Sequence, residues 1–587
     1  MTSKFYSSER AVQIIISLLK QHNIRKVVVS PGATNVTLVA SLQNDSWFDI
    51  YSSVDERSAA YMACGIAIES CEPVVLTCTG ATASRNYLPG LTEAYYRKLP
   101  ILAITATQNI NRVGHLQPQH LDRSIIQNDI AVCSEHLFPC DSPDSEWECE
   151  IKVNRAILAL KYNGGGPAHL NFTTTYSRDF SVENLPIARK IDRIVNESDF
   201  PELPVDKKIA VFVGAHAPVS PQLERAIDEF CSTYDSVVFC DQSSGYRGKY
   251  RAQLALVAMQ TEYVSPVFDI DILIHIGEIS GDYPLVGALK IREAVWRVSP
   301  DGELRDYFKK LRCVFDMEEI AFFKHYARTG LCNDKFLKLC KEEYNKIFQS
   351  LPDLPFSNLW TASQLCDKLP ENCTLHLGIL NSLRAWNVFN ISNSIETNCN
   401  TGGFGIDGIL STLLGASLVS SNKLHFCVLG DLAFFYDMNL LGNRHCGCNM
   451  RILLVNNGMG TEFKNYTHHG SMFGQDTDKY IAAAGHFGQQ SRVLVKHFVE
   501  DLGFEYIAAD SKESFMSQLP RFISADFNDK SIVFEIFTSS ADESDALRCV
   551  NTAFKDPTVH VKNVVKNTVK SLLGTSVVDG IKKIQKK

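Results

Sequence analysis

Residues Leu424–Asn457 read LHFCVLGDLAFFYDMNLLGNRHCGCNMRILLVNN. Two short, almost continuous apolar runs, Leu424–Gly430 and Met450–Asn456, flank a segment with helical spacing. Strands that are apolar on both faces belong to parallel sheets covered by helices on either side. The same alternation recurs in both directions: Lys26–Ser30, Pro73–Thr79 and Leu99–Thr105 lie upstream, then Ile209–Gly214, Ser236–Cys240 and Asp271–Gly277, and finally Ser531–Thr538. The pattern predicts an α/β protein of three doubly wound parallel-sheet domains. A Pro-containing charged stretch at 181–205 and the segment SLPDLPFSN at 350–358 suggest boundaries at 1–185, 190–345 and 355–550, followed by a tail at 551–587.

The quoted stretch also carries chemistry. Asp431 follows the first apolar run and Asn457 the second, so both side chains emerge at the carboxyl edge of a parallel sheet, where such sheets bind ligands. A carboxylate and an amide oxygen, joined by a backbone carbonyl just after Asn457, suit Mg²⁺ holding a diphosphate. The alternative is a strand-end turn at Gly430-Asp431 and a hairpin signal at Asn456-Asn457-Gly458. A second segment, Val54–Tyr61 (VDERSAAY), places Asp55 and Glu56 at a helix start, where the macrodipole favours acids. A Glu beginning an apolar, small-residue helix could instead share a proton with a ring nitrogen. A third segment, Asn400–Gly408 (NTGGFGIDG), has four glycines in seven residues, which marks close backbone approach or a loop before a helix.

Composition narrows the classes. The 587 residues are 45% hydrophobic and 21% charged, the balance of a soluble globular chain with a large core. The net charge of −8 disfavours wholesale nucleic-acid binding, although residues 551–587 hold eight Lys against two Asp, a local +6. Val561, Val565, Val569 and Leu572 recur in that tail at helical spacing, as in a basic amphipathic helix packed on its own domain or touching an anionic surface. Eighteen cysteines lack any paired C-x-x-C framework, so reduced thiols in a cytoplasmic setting are expected rather than structural zinc. The apolar stretch Ala11–Leu19, interrupted by Gln13 and Ser17, reads as an amphipathic helix, and no run is long enough to span a membrane.

Taken in order, SPG (30–32), DERSAAY (55–61), LTCTGATASRNYLPGLTEAYY (76–96), GFGIDGILST (403–412), GDLAFFYDMN (430–439) and NNG (456–458) resemble the thiamine-diphosphate-dependent enzymes. The resemblance is nearest to the menaquinone-pathway synthases that join 2-oxoglutarate to isochorismate, and more distant to acetolactate synthases. It implies a pyrimidine-binding domain, a middle domain without cofactor and a diphosphate-binding domain. It further implies that Glu56 bonds the aminopyrimidine ring, and that Asp431, Asn457 and the Met459 carbonyl hold Mg²⁺. Gly405, Gly430 and Leu432 would line the cofactor, Ile406 would wedge beneath it, and Gln119 would lie near its thiazolium. Residues matching Glu56 and Asp431 come from opposite subunits in such enzymes, which implies a homodimer or a dimer of dimers.

Two departures from the resemblance stand out, and the second bears on substrate. The interval from Asp431 to Asn457 is one residue short, which places a gap in the helix or in the turn near Cys446–Asn449. Thr34, Gln108 and Thr401 stand where the menaquinone-pathway enzymes carry substrate-binding arginines, and neither Thr nor Gln reproduces the bidentate fork. Arg85, Arg112 or Arg384 could replace the charge. His115, His120, His468 and His469 are candidate proton carriers. The resulting expectation is a Mg²⁺- and thiamine-diphosphate-dependent carboligase that decarboxylates a 2-oxo acid and passes an acyl carbanion equivalent to a carbonyl or enone acceptor. The rival readings are a simple decarboxylase, a non-catalytic cofactor-binding regulator and a nicotinamide oxidoreductase. The last lacks a G-x-G-x-x-G after its first strand, where Ser30-Pro31-Gly32-Ala33-Thr34 stands.

Overall fold

The computed structural model describes residues 5–122, 126–328, 330, 332–466, 468–485, 490–527 and 529–555. They divide into two compact units: one of residues 1–200 with 301–316, the other of 201–300 with 317–587. The blocks expected at 190–345 and 355–550 thus lie mostly within one unit, and the segment 301–316 belongs with the first.

In the first unit, strand Lys26–Val29 lies between Asp49–Ser52 and Val74–Thr79, and the sheet continues through Ile101–Thr107 and Ala168–Thr173 to Cys133–Leu137. Every pairing is parallel. Val74–Thr79 and Ile101–Thr107 are almost wholly buried, as their largely apolar sequence, interrupted only by threonines, leads one to expect. Helix Arg10–Gln21 buries every residue from Ala11 to Leu19. Its polar interruptions are buried too: Gln13 donates to the Ser7 carbonyl (2.9 Å) and Ser17 to the Pro186 carbonyl (2.7 Å). The helix is therefore enclosed rather than one-sided, because each buried polar group has a backbone partner. Helix Pro143–Ala159 starts at a capping box of Ser142 and Ser145 with Pro143 in its first turn. Asp192–Ile194 pairs with Leu311–Asp316, and buried Asp306 accepts bonds from Arg189 (2.7 Å) and Trp147 (2.9 Å).

The second unit contains two parallel arrays. One orders Arg251–Ala252, Val237–Cys240, Ile209–Val213, Asp269–Ile276 and Lys290–Ser299. The other orders Glu396–Cys399, Thr374–Leu377, His425–Gly430, Met450–Asn456, Ile532–Phe537 and Glu505–Ala509. In the second array Gly430 pairs with Val455 and Asn456 with Phe537, so the ends of three strands lie side by side. The Asn456-Asn457-Gly458 hairpin alternative is excluded, because Met450–Asn456 runs parallel to both neighbours. The short Asp431–Asn457 interval consists of helix Asp431–Asp437, the 3₁₀ turn Met438–Gly442 and a loop to Met450. Helix Ser540–Asn551 is followed by Phe554, whose N–H donates to Gln260 (3.0 Å) and whose ring meets Tyr263. The amphipathic reading of the basic tail concerns residues that, from 556 onward, lie outside the described ones.

Candidate active site

Strand His425–Gly430 ends at an extended Gly430, and the chain turns directly into helix Asp431–Asp437. Asp431 is 4% exposed, with one carboxylate oxygen accepting the Gly458 N–H (2.8 Å) and the other the Leu432 N–H (2.9 Å). Burial pushes its carboxyl up to about 6 against these bonds, which favour the charge. A cation beside it would offset that desolvation. The Asn457 side-chain oxygen accepts the Met459 N–H (3.3 Å), and Met459 forms an isolated antiparallel bridge with Ala484. Gly430, Asp431, Leu432, Asn457 and Met459 line one cavity of about 150 Å³ together with Ile406. A carboxylate, an amide oxygen and a main-chain carbonyl at one rim form a hard oxygen set that fits Mg²⁺ completed by phosphate oxygens. Among the described residues no group of three His, Cys, Asp or Glu side chains is placed to hold a metal without such help.

The glycine loop reaches this cavity from the other side. Helix Ile409–Val419 is fixed to the helix after Asp431 by Asp437, which accepts the Ser411 N–H and hydroxyl, each at 2.7 Å. Asn400 and Thr412 bond across the loop (3.1 Å), so its two ends are tied. Ile406 packs on the core that contains Phe434 and Leu429 and is half-buried. Gly405 sits where an added Cβ would strike the Asp407 carboxylate at 2.4 Å.

Helix Glu56–Ser70 in the first unit begins at Asp55, whose side chain accepts the Ser58 N–H (3.1 Å). Asp55 is thus the capping acid, and Glu56 is left for other work. The Glu56 carboxylate is half-buried and accepts from Asn86 Nδ2 (3.0 Å). Ala59, Ala60 and Ala63 are fully buried, and Gly90 packs so near Ala60 that an added Cβ would lie 2.4 Å from it. The small residues bring two helices together, so the composition has a packing cause independent of Glu56.

The other sequence candidates separate. Thr34 is buried, with its hydroxyl 2.6 Å from both the Thr79 hydroxyl and the Ala106 carbonyl oxygen. Gln108 bonds Tyr176 (2.8 Å) and Arg112 (3.2 Å), and Arg85 donates to the Asp122 carbonyl (3.1 Å). Gln119 is exposed at φ 65°, His115 is exposed, and His120 meets the Pro118 carbonyl (2.9 Å). Thr401 is buried beside Gly281. His468 accepts the Gly470 N–H (3.0 Å) and rests edge-on to Phe463, while His469 is exposed. Neither histidine lines the cavity of Asp431.

Two residues at the cavity wall, Leu380 and Glu543, carried no sequence signal of their own, whereas Arg384 was among the arginines expected to replace the missing charge. Leu380 has φ 70°, an outlier for a branched residue, at the entry to helix Asn381–Asn387. Strain of that kind concentrates at functional sites. Arg384, one turn on, forms a two-pronged pair with Glu462, both prongs at 2.9 Å. Glu543 accepts the Asn358 N–H and the Thr538 hydroxyl (2.8 Å), and enclosure of its carboxyl pushes it up to about 7. It ties helix Ser540–Asn551 to the start of helix Asn358–Leu365.

Comparison with known proteins assigns the class. Residues 9–126 match the N-terminal TPP binding domain of thiamine pyrophosphate enzymes. The chain is a thiamine-diphosphate-dependent enzyme, of the transferases and lyases that act as decarboxylase–carboligases. It is 28% identical over 564 residues to the 2-succinyl-5-enolpyruvyl-6-hydroxy-3-cyclohexene-1-carboxylate synthase of Bacteroides fragilis, covering 92% of this chain and 98% of that one. The synthase of the same name from Bacteroides thetaiotaomicron is 29% identical over 566 residues, with the same coverage. That from Flavobacterium psychrophilum is 27% identical over 555 residues, covering 90% and 95%.

Proposed function

We propose that this chain is a Mg²⁺-dependent carboligase that decarboxylates a 2-oxo acid and transfers the remaining acyl unit to a carbonyl or enone acceptor. The observation that carries this reading is the convergence of Asp431, Asn457, Met459 and Ile406 on one cavity at a parallel-sheet edge. Asp431, Asn457 and the Met459 carbonyl would hold the ion on the diphosphate. Thiamine diphosphate, when bound, supplies the electron sink that a 2-oxo acid needs to lose CO₂. Ile406 shapes the cavity floor. Glu56, free of capping duty, would hold or pass a proton at the pyrimidine ring nitrogen. His115 and His120 stay secondary candidates for proton handling from an exposed loop, and Gln119 a secondary candidate for a hydrogen bond near the thiazolium.

A homodimer or dimer of dimers completes the proposal. A cavity of about 150 Å³ is below the roughly 300–1,000 Å³ of ordinary ligand pockets, which supports its completion by a second copy. Helix Glu56–Ser70 exposes Tyr61, Met62 and Ile68, and helix Ile409–Val419 exposes Leu418 and Val419. Such apolar helix faces mark interaction surfaces. No helix among the described residues is long and apolar enough to cross a membrane, and all eighteen cysteines are unbridged, which supports a reducing compartment such as the cytoplasm.

The test incubates purified protein with Mg²⁺, thiamine diphosphate and a panel of 2-oxo acids, following CO₂ with and without aldehyde or enone acceptors. Acceptor-dependent product supports the carboligase. Aldehyde release unaffected by any acceptor converts the assignment to a simple decarboxylase. Cofactor binding without CO₂ from any donor converts it to a regulator.

A further inference from the structure

Arg384 is the sole cation among the described residues lining the Asp431 cavity. Its guanidinium is not available as it stands. Nη1 and Nη2 donate to the two oxygens of Glu462 at 2.9 Å each, and Nη1 also donates to Asn381 (3.0 Å). Both side chains are 21% exposed, so the pair is shielded from water more than a surface bridge is. Asn465, itself buried, donates to the same Glu462 carboxylate (3.3 Å) and to Asn381 (3.4 Å), which fixes the carboxylate in place. A carboxylate held fork to fork on the only cation among the described residues of this wall has the geometry with which an arginine would hold a substrate carboxylate.

We propose that Glu462 is a built-in competitor that occupies Arg384 and so excludes 2-oxo acids bearing a second carboxylate, an inference that rests on the carboligase reading above. Two physical effects enforce the exclusion. Glu462 is part of the same chain, so it competes for Arg384 without the translational and rotational cost that a free metabolite pays. Displacing it would also leave its charge with Asn465 alone, in a cavity already lined by the Asp431 and Glu543 carboxyl groups. The pocket thereby selects donors whose only carboxylate is the one lost as CO₂.

The test measures binding before turnover. Glutarate and butyrate serve as probes differing by one carboxylate, titrated calorimetrically into the full-length protein with and without Mg²⁺ and thiamine diphosphate. In the wild type, glutarate binds no more than about threefold tighter than butyrate. In Glu462→Gln the freed fork binds glutarate about tenfold tighter or more, in keeping with charge-assisted hydrogen bonds. The gain disappears in the double variant Arg384→Gln/Glu462→Gln. The kcat/KM ratio of 2-oxoglutarate to pyruvate rises in parallel in the single variant. Wild-type preference for glutarate by tenfold, an unchanged single variant, or a gain that survives loss of Arg384 each overturn the proposal. A gain in thiamine diphosphate affinity in place of glutarate affinity also overturns it, since Arg384 would then serve the cofactor. Should Glu462→Gln fail to fold, the wild-type comparison decides alone. A protein that binds the probes as stated yet turns over no 2-oxo acid removes the carboligase reading and leaves the Arg384–Glu462 assignment standing.

Discussion

Two sheet edges in the second unit have the same topology and opposite fates. In the middle array the chain order reverses between Ile209–Val213 and Asp269–Ile276; in the last array it reverses between Thr374–Leu377 and His425–Gly430. Both are positions at which parallel sheets open a ligand crevice. At the first, the crevice is closed by backbone: Gly214 N–H donates to the Ile276 carbonyl (3.0 Å), and Glu278 N–H to that of Ala215 (2.8 Å). A Cβ on Gly214 would lie 1.8 Å from the Glu278 carbonyl oxygen. At the second, nothing lies within 4 Å of a Cβ on Gly430, and the cavity of Asp431 opens there. Topology makes both edges eligible. What separates them is whether the loops bond each other or leave their polar groups to a ligand.

The largest expected effect concerns Glu56, the acid proposed for the cofactor that the open edge would bind. Glu56→Gln keeps a hydrogen-bonding group of nearly the same shape but cannot exchange a proton with a ring at neutral pH. Loss of one proton-transfer partner costs about 10²–10⁴-fold. Deuterium exchange at the reactive carbon of bound cofactor, read by quenched NMR, should slow by that factor while cofactor affinity stays within about fivefold, below one such interaction. Wild-type exchange in the variant would reduce Glu56 to a second helix-start acid beside Asp55.

Next comes the ion clamp. Asp431→Ala removes the buried carboxylate that receives the Gly458 and Leu432 N–H groups, and should weaken Mg²⁺-dependent cofactor binding by more than about 100-fold. Unchanged affinity by calorimetry would end the clamp assignment.

A paired glycine experiment then sharpens the contrast itself. Gly214→Ala forces a methyl into the Glu278 backbone and should cost about 1–3 kcal/mol of stability without touching cofactor affinity. Gly430→Ala meets no protein atom, so it should leave the melting temperature unchanged while intruding on the cofactor's space. Equal effects of the two substitutions on binding would erase the distinction between a closed and an open edge.

The sequence made the open edge visible because Gly430-Asp431 and Asn457 terminate apolar runs, and strand ends are local features. For Glu56 the sequence showed only two acids at a helix start; the fold separates them by making Asp55 the cap. The pairing of Arg384 with Glu462 spans 78 residues and follows no periodicity, so only the fold brings the two together. The inclusion of residues 301–316 in the first unit was equally hidden, since Asp306 is a single buried acid whose partners, Arg189 and Trp147, lie more than a hundred positions away. Gln13 and Ser17 misled in the opposite sense: polar residues signalled a solvent face, yet backbone acceptors lay within reach.

The smallest effect concerns a burden that both edges share. Each array buries a histidine in a core strand: His275 in the middle one, held down to about 3 by burial and Arg297, and His376 in the last, held down to about 4 by burial and His425. Both nitrogens of His376 are enclosed without a hydrogen-bond partner, whereas neighbouring His425 meets Thr374 (2.7 Å) and the Ser420 carbonyl (3.0 Å). A base whose folded pKa is depressed binds its proton more readily when unfolded, so its stability contribution is complete above about 6.5 and is lost as pH falls toward 4. The loss is at most about 1.4 kcal/mol per pH unit for one proton. His376→Leu removes that proton and no hydrogen bond. The variant should therefore match or exceed wild-type stability at pH 7 and fall less steeply between pH 6.5 and 4, by about one proton in the slope of unfolding free energy against pH. His275 accounts for part of the slope that remains. Parallel curves for variant and wild type would mean that His376 is solvated in the folded protein, and that the last array is less tightly closed beneath its strand ends than the middle one.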